Sequence, residues 1–145
     1  MAKQDSTTSW QTWAILVGRL IFAGAFLMAT AFKFLGMEAT AGYIASAGFP
    51  FPLFLAWVAA FFELALVLCF LTGAFFTEAS LLAGIYVIFL GFAFHGPGRW
   101  EGNQHEFGFF VNHFTFLAGL LFAAVTGPGP KFVLPWSVLG KTRKA

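Results

Sequence analysis

The chain has 145 residues, 59% of them hydrophobic and 10% charged, with a mean hydropathy of +0.82 and a formal net charge of +2. A soluble domain carries about a quarter charged residues, so water is the wrong solvent for most of this surface. The small charge and the absence of a basic run exclude nucleic acid as a partner. The single cysteine, Cys69, excludes an intramolecular disulfide, a Cys-x-x-Cys dithiol and a thiolate zinc cluster.

A hydrocarbon core of about 30 Å needs about 20 apolar residues of helix. In chain order four segments meet that requirement: Trp13 to Phe34, Pro52 to Thr72, Ala79 to His95 and Phe109 to Thr126. The expected fold is therefore all-α, an integral membrane four-helix bundle forming a single transmembrane domain over 1–145. Ala29-Thr30-Ala31 imitates a secretory cleavage site, but Arg19 interrupts the apolar stretch before it, so the first segment reads as a retained span. The connections Gly36 to Phe51 and Gly96 to Gly108 and the short turn Gly73 to Glu78 are rich in breakers. Gly127-Pro128-Gly129-Pro130 ends the fourth span.

Orientation follows from basic residues, which gather on the cytoplasmic side. Lys3, Lys131, Lys141, Arg143 and Lys144 lie with the termini, against Lys33 and Arg99 opposite, so the termini are expected in the cytoplasm of a bacterium with the protein in its plasma membrane. Trp10, Trp13, Trp100 and Trp136 fall at expected interfaces.

Small and polar residues at helical spacing mark the inward faces. The stripes are Arg19, Ala23, Phe26, Thr30 and Lys33; Ala56, Ala59 and Glu63; Ser80, Gly84, Val87, Gly91 and His95; and Asn112, Phe116, Gly119, Ala123 and Thr126. Arg19 lies roughly 9 Å and Glu63 roughly 14 Å from the cytoplasmic edge on antiparallel helices, which predicts a buried pair. That pair reads either as a structural ion pair or as a site that also touches a substrate, a proton or a quinone headgroup. A second level toward the periplasm collects Lys33, His95, Asn112 and His113 as a candidate pocket. There the bland alternatives are a snorkelling lysine and a helix-end histidine. Only one of Asn112 and His113 can face the centre squarely, and the fourth stripe favours Asn112.

Two histidines on neighbouring helices raise the question of haem, but their depths differ and no carboxylate pair with His at metal-ligand spacing occurs in any span, so haem is disfavoured and no metal is expected. Glu101, His105 and Glu106 read as a solvated loop, and Glu78 as an interfacial charge. No phosphate loop, nucleophile elbow or His-Glu-x-x-His motif is present.

Across about Ala14 to Pro130 the chain resembles the DoxX family of small four-span membrane proteins. The resemblance rests on Gly18-Arg19-Leu20, Phe32-Lys33-Phe34, Tyr43 to Pro50, Glu63 with Leu71-Thr72-Gly73, Phe94-His95, Asn112 with Gly119-Leu120-Leu121, and Gly127-Pro128-Gly129. It departs at Ala29-Thr30-Ala31, where the family often has a glycine before the lysine, and after Gly129; the region from His105 to Asn112 does not align cleanly. Arg19, Lys33, Glu63 and His95 carry over best. The resemblance implies a membrane component of an oxidoreductase system, some members being named for quinone-linked sulfur oxidation or quinol oxidation. The bundle also resembles that of vitamin K epoxide reductase, whose dithiol chemistry Cys69 alone does not support. The expectation is a redox subunit contacting quinone or a similar amphipathic molecule in lipid, with other protein subunits as partners. If it is an enzyme, it is a quinone-linked oxidoreductase component. The alternative is a non-enzymatic accessory or assembly subunit of a larger membrane complex.

Overall fold

The computed structural model describes residues 8–139, and all regular structure in that range is helical. Four long helices, α1 (Ser9–Leu35), α3 (Pro52–Thr72), α4 (Phe76–His95) and α5 (Gln104–Thr126), are each long and apolar enough to cross a bilayer. Between α1 and α3 the chain forms a further helix, α2 (Met37–Ser46), and between α4 and α5 a 3-10 turn, Pro97–Arg99. The connection from Gly36 to Phe51, rich in breakers, contains a helix not assigned from the sequence. It folds because Met37 to Ser46 contains neither an internal glycine cluster nor a proline, and because Ala41 and Ile44 bury against Ala56 and Phe94.

The helix ends carry their own signals. Thr8 N–H donates to Gln11 Oε1 at 2.8 Å and starts α1 ahead of Trp13. Pro52 opens α3, where its missing N–H costs nothing. Gly73 closes α3 at φ 71° and Gly127 closes α5 at φ 78°, conformations that favour glycine. α5 starts at Gln104, earlier than the apolar stretch, and so takes Glu106 into its first turn.

α1 packs on α3 and α4 on α5 as two antiparallel pairs, with α2 against α3. The pairs meet through an aromatic layer: Phe22, Phe26, Phe70, Phe76 and Phe116 stack at centroid distances of 5.4 to 5.8 Å around Leu66, Val67 and Leu120. α4 and α5 approach closely because Gly84 and Gly91 lack side chains; a Cβ there would sit 3.0 Å from Leu117 and His113. Outward-facing Ile21, Met28, Phe54, Phe61, Ile85 and Phe122 form the lipid-facing surface.

After Gly127 the chain turns back across the end of the bundle where α1 begins, the terminal end; the opposite end, with α2 and the 3-10 turn, is the loop end. Leu134 N–H donates to Thr72 O at 2.9 Å, and Phe75 N–H donates to Trp136 O at 2.6 Å. Glu78 Oε1 accepts from Ser137 Oγ at 2.7 Å, from the Leu139 N–H at 2.6 Å and from the Val138 N–H. Glu78, expected as an interfacial charge, thus anchors this C-terminal strap.

Arg19 pins the same strap from inside. Its Nη1 donates to Pro128 O at 3.0 Å and Lys131 O at 3.1 Å, and its Nη2 to Phe132 O at 3.0 Å and Leu71 O at 3.3 Å. The side chain is 2% exposed. Phe132 adopts φ 51°, a conformation uncommon for residues with a side chain, and its own carbonyl and the preceding one both reach the guanidinium.

Replacing Arg19 by Met leaves four carbonyls without their donor, each orphan worth about 1 to 3 kcal/mol where water cannot replace it. The expected loss is about 3 kcal/mol or more in reversible unfolding from mixed micelles, together with protease cleavage near Lys131 that the parent protein resists. Gly73→Ala forces a side chain into φ 71°, 3.1 Å from Arg19 Nη1 and 3.2 Å from Pro128 and Val133. It is expected to cost about 1 to 3 kcal/mol in the same assay.

Candidate functional site

Every Cα–Cβ bond of a helix tilts toward its N-terminus. α1 runs from the terminal end to the loop end, so Arg19 reaches back toward the terminal end while Lys33 reaches inward from the loop end. α3 runs the other way, and Glu63 leans toward the loop end. The expected Arg19 to Glu63 pair is therefore not formed. Arg19 spends its charge on the strap carbonyls, and Glu63 Oε2 sits 2.9 Å from Lys33 Nζ. Depth along the axis placed the two residues near one another, but side-chain direction separates them.

Glu63 is 2% exposed, and its second oxygen accepts a hydrogen bond from Tyr86 Oη on α4 at 2.8 Å. Lys33, Glu63 and Tyr86 thus tie α1, α3 and α4 together. Lys33, whose side chain is 19% exposed, does not snorkel outward but turns to the carboxylate. An isolated charge at this depth would cost at least about 2.5 to 3.5 kcal/mol, which the pairing offsets.

Lys33 and Tyr86 border a cavity of about 930 Å³, with Glu63 behind them. Lys33 and Ala29 of α1, Thr40 and Tyr43 of α2, Phe62 of α3, Tyr86 and Phe94 of α4 and His113 of α5 line it. On one side it opens between α3 and α4, where Val58, Leu82, Ile85 and Phe89 both line it and are exposed. The opening therefore faces hydrocarbon. Tyr43 stacks on Phe94 at 4.9 Å beneath the roof formed by α2. Burial and the Glu106 charge raise the Tyr43 pKa against an opposing pull from Arg99, so its hydroxyl stays a proton donor.

His95 ends α4 beside this cavity and Nδ1 lies 2.7 Å from Glu106 Oε2. Trp100 Nε1 donates to His95 O at 2.8 Å and holds the helix end. The His113 ring lies 5.2 Å from the His95 ring, and its Nδ1 lies 2.7 Å from Phe109 O. Of the adjacent pair in α5, His113 lines the cavity and Asn112 is exposed on the outer face. That reverses the preference for Asn112. The reason is Gly91, which draws α5 onto α4 along the His113 and Leu117 side. Of the α5 residues only Leu120 is fully buried; Phe116, Gly119 and Ala123 of the expected stripe pack inward, whereas Asn112 and Thr126 at the two ends of the stripe are exposed.

Two residues of the site were not anticipated from sequence. Glu106 was read as part of a solvated loop; its position in the first turn of α5, eleven residues after His95, brings it to the imidazole. Tyr86 lacked a small-residue signature, although it lies one residue before the Val87 of the α4 stripe. Among the described residues no group of three or more His, Cys, Asp or Glu side chains is placed to hold a metal ion.

The Lys33 and Glu63 pair is open to a double-mutant cycle. Glu63→Gln or Lys33→Met alone is expected to cost about 3 kcal/mol, since each leaves a buried partner charge. The double variant is expected to cost less than the sum by about 2 kcal/mol, read from unfolding in mixed micelles. Additive costs would show that the two side chains do not interact.

No curated protein and no solved structure matches the chain. The DoxX family model matches residues 14–96, which takes in α1 to α4 with Arg19, Lys33, Glu63, Tyr86 and His95. On that match, and with four membrane-spanning helices around the site, the chain is an integral membrane protein belonging to the DoxX family.

Proposed function

We propose that the protein is the membrane subunit of a redox system and that its cavity binds a quinone or a similar ring-bearing amphipathic molecule drawn from the bilayer. The observation that carries this reading is a cavity of about 930 Å³ that opens sideways between α3 and α4 and ends at Lys33, Tyr86 and the two histidines. A lipid-soluble ligand needs such an opening, because it never has to enter water. Aromatic walls suit a flat ring, and a few convergent polar groups fix its orientation.

The charge balance favours a neutral ligand over an anion. Lys33 is already matched by Glu63, so among the described residues the cavity lining has no unpaired lysine or arginine to compensate a carboxylate or a sulfur oxyanion. A ring carbonyl, an acceptor without charge, fits the remaining Lys33 N–H donors. With Cys69 as the single cysteine the chain has no intramolecular dithiol, so the electron carrier is assigned to a partner subunit. In this reading the protein sits in a bacterial plasma membrane with the basic, terminal end in the cytoplasm and the roof helix α2 in the periplasm.

Purified protein in nanodiscs is expected to bind a short-chain benzoquinone saturably. Lys33→Met and Phe89→Trp, which alter the polar end and the lateral opening, are expected to weaken binding roughly tenfold, or about 1.4 kcal/mol each. Partition indistinguishable from protein-free nanodiscs, with copurifying protein subunits but no quinone, would instead support an accessory role.

A further inference from the structure

The two imidazoles at the loop end of the cavity have their proton positions set by their neighbours. Phe109 O is a carbonyl and only accepts, so at 2.7 Å His113 Nδ1 must carry the hydrogen. At the same distance from His95 Nδ1, the carboxylate of Glu106 imposes the same tautomer on that ring. Both rings therefore carry their free lone pair on Nε2, and among the described residues neither Nε2 has a hydrogen-bond partner. The polar lining is thus divided. Lys33 offers donors toward the bundle centre, whereas His95 and His113 offer acceptors toward the loop end.

From this juxtaposition we infer that His95 and Glu106 form a proton-accepting dyad for a weakly acidic ring hydroxyl bound in the cavity. The inference rests on the proposed binding of a ring-bearing amphipath and adds its chemical class, a phenol or hydroquinone as well as a ring carbonyl. In the transfer the ligand O–H bond breaks, the proton bonds to His95 Nε2, and the electron pair stays on the ligand oxygen. The His95 Nδ1–H then lies against the Glu106 carboxylate, which balances the imidazolium charge. Glu106, with 23% of its side chain exposed in the first turn of α5, takes the Nδ1 proton as the Nδ1–H bond breaks and releases it to water at the loop end, leaving His95 neutral with its hydrogen on Nε2. Exchange of that hydrogen with water for one at Nδ1 restores the starting tautomer. No electron moves in this step.

The geometry has the three parts of such a device: a base, a carboxylate orienting it, and a path outward. A solely structural bond between α4 and α5 would not require His95 to line the cavity, and the helix end is already held by Trp100 through the His95 carbonyl. The other titratable or charged groups facing this end are His113 on α5, Arg99 on the 3-10 turn, Tyr43 on α2 and, deeper, Lys33, Glu63 and Tyr86.

The test uses 2-decyl-4-nitrophenol, whose phenol and phenolate absorb at separate wavelengths, titrated between pH 5 and 8 with the full-length protein in nanodiscs. Bound probe is expected to ionise about one pH unit lower than probe in protein-free nanodiscs, a roughly tenfold larger phenolate ratio. Glu106→Gln, outside the cavity lining, preserves the hydrogen-bonding shape while removing the charge and is expected to keep binding and abolish the shift; His95→Gln is expected to abolish the shift in the probe it still binds. Lys33→Met tests whether the ammonium is the cause. Binding with no shift, or a shift that survives both His95→Gln and Glu106→Gln, or one lost only in Lys33→Met, overturns the dyad while leaving the cavity reading intact. Absence of saturable probe binding to the parent protein overturns both.

Discussion

Hydrocarbon offers no hydrogen-bond partner, so each charge inside this bundle has to be matched by the chain itself. That constraint is met in two different ways. At the terminal end a cation is matched by dipoles: Arg19 collects four carbonyls from residues far from it in sequence and so ties an otherwise irregular strap to the bundle. Nearer the loop end a cation is matched by an anion, with Lys33 against Glu63 and Tyr86 as third member. The first arrangement gives each of the two terminal nitrogens of the guanidinium two carbonyls and leaves no cavity of comparable size beside it. The second leaves Lys33 part-exposed at the edge of a large one.

The cavity depends on where the helices are held together and where they are not. Aromatic stacking around Phe70 and Phe116 closes the bundle near the terminal end. At the other end α3 and α4 part, and α2 lies across the gap with Tyr43 on Phe94. Two glycines on α4 hold α5 close while that happens, which is how His113 enters the lining although most of α5 faces outward. The polar site, its sideways opening and its roof are thus consequences of the same packing. A mutation at Gly91 would be felt at His113 before it reached anything else.

Membership of the DoxX family and the membrane-spanning architecture are properties of the chain, but a fold does not carry a reaction. A quinone-like ligand is supported by the matched charge at Lys33, the aromatic walls and the opening toward lipid. Proton transfer is supported by the tautomers set by Glu106 and by the Phe109 carbonyl.

Much of this was legible in the sequence, and for definite reasons. Apolar runs of bilayer length announce four spans, because that length is set by the solvent and not by the partners of each helix. The inward position of Arg19, Glu63 and His95 was legible because polar residues in such runs have few alternatives to facing the interior. Which polar group meets which was decided only in three dimensions. Depth along the helix axis suggested Arg19 with Glu63, whereas the tilt of side chains toward each helix N-terminus sent Arg19 to the strap and joined Glu63 to Lys33. The choice between Asn112 and His113 turned on the approach of α5 at Gly91, and the role of Glu106 on where α5 begins; neither is encoded in periodicity. α2 was hidden because its ten residues are too short to span a membrane and gain their stability from Ala56 and Phe94 on other helices. The sequence by itself thus determined which residues must leave the lipid, and tertiary structure alone decided their partners, since partnership depends on helix rotation, approach and side-chain direction.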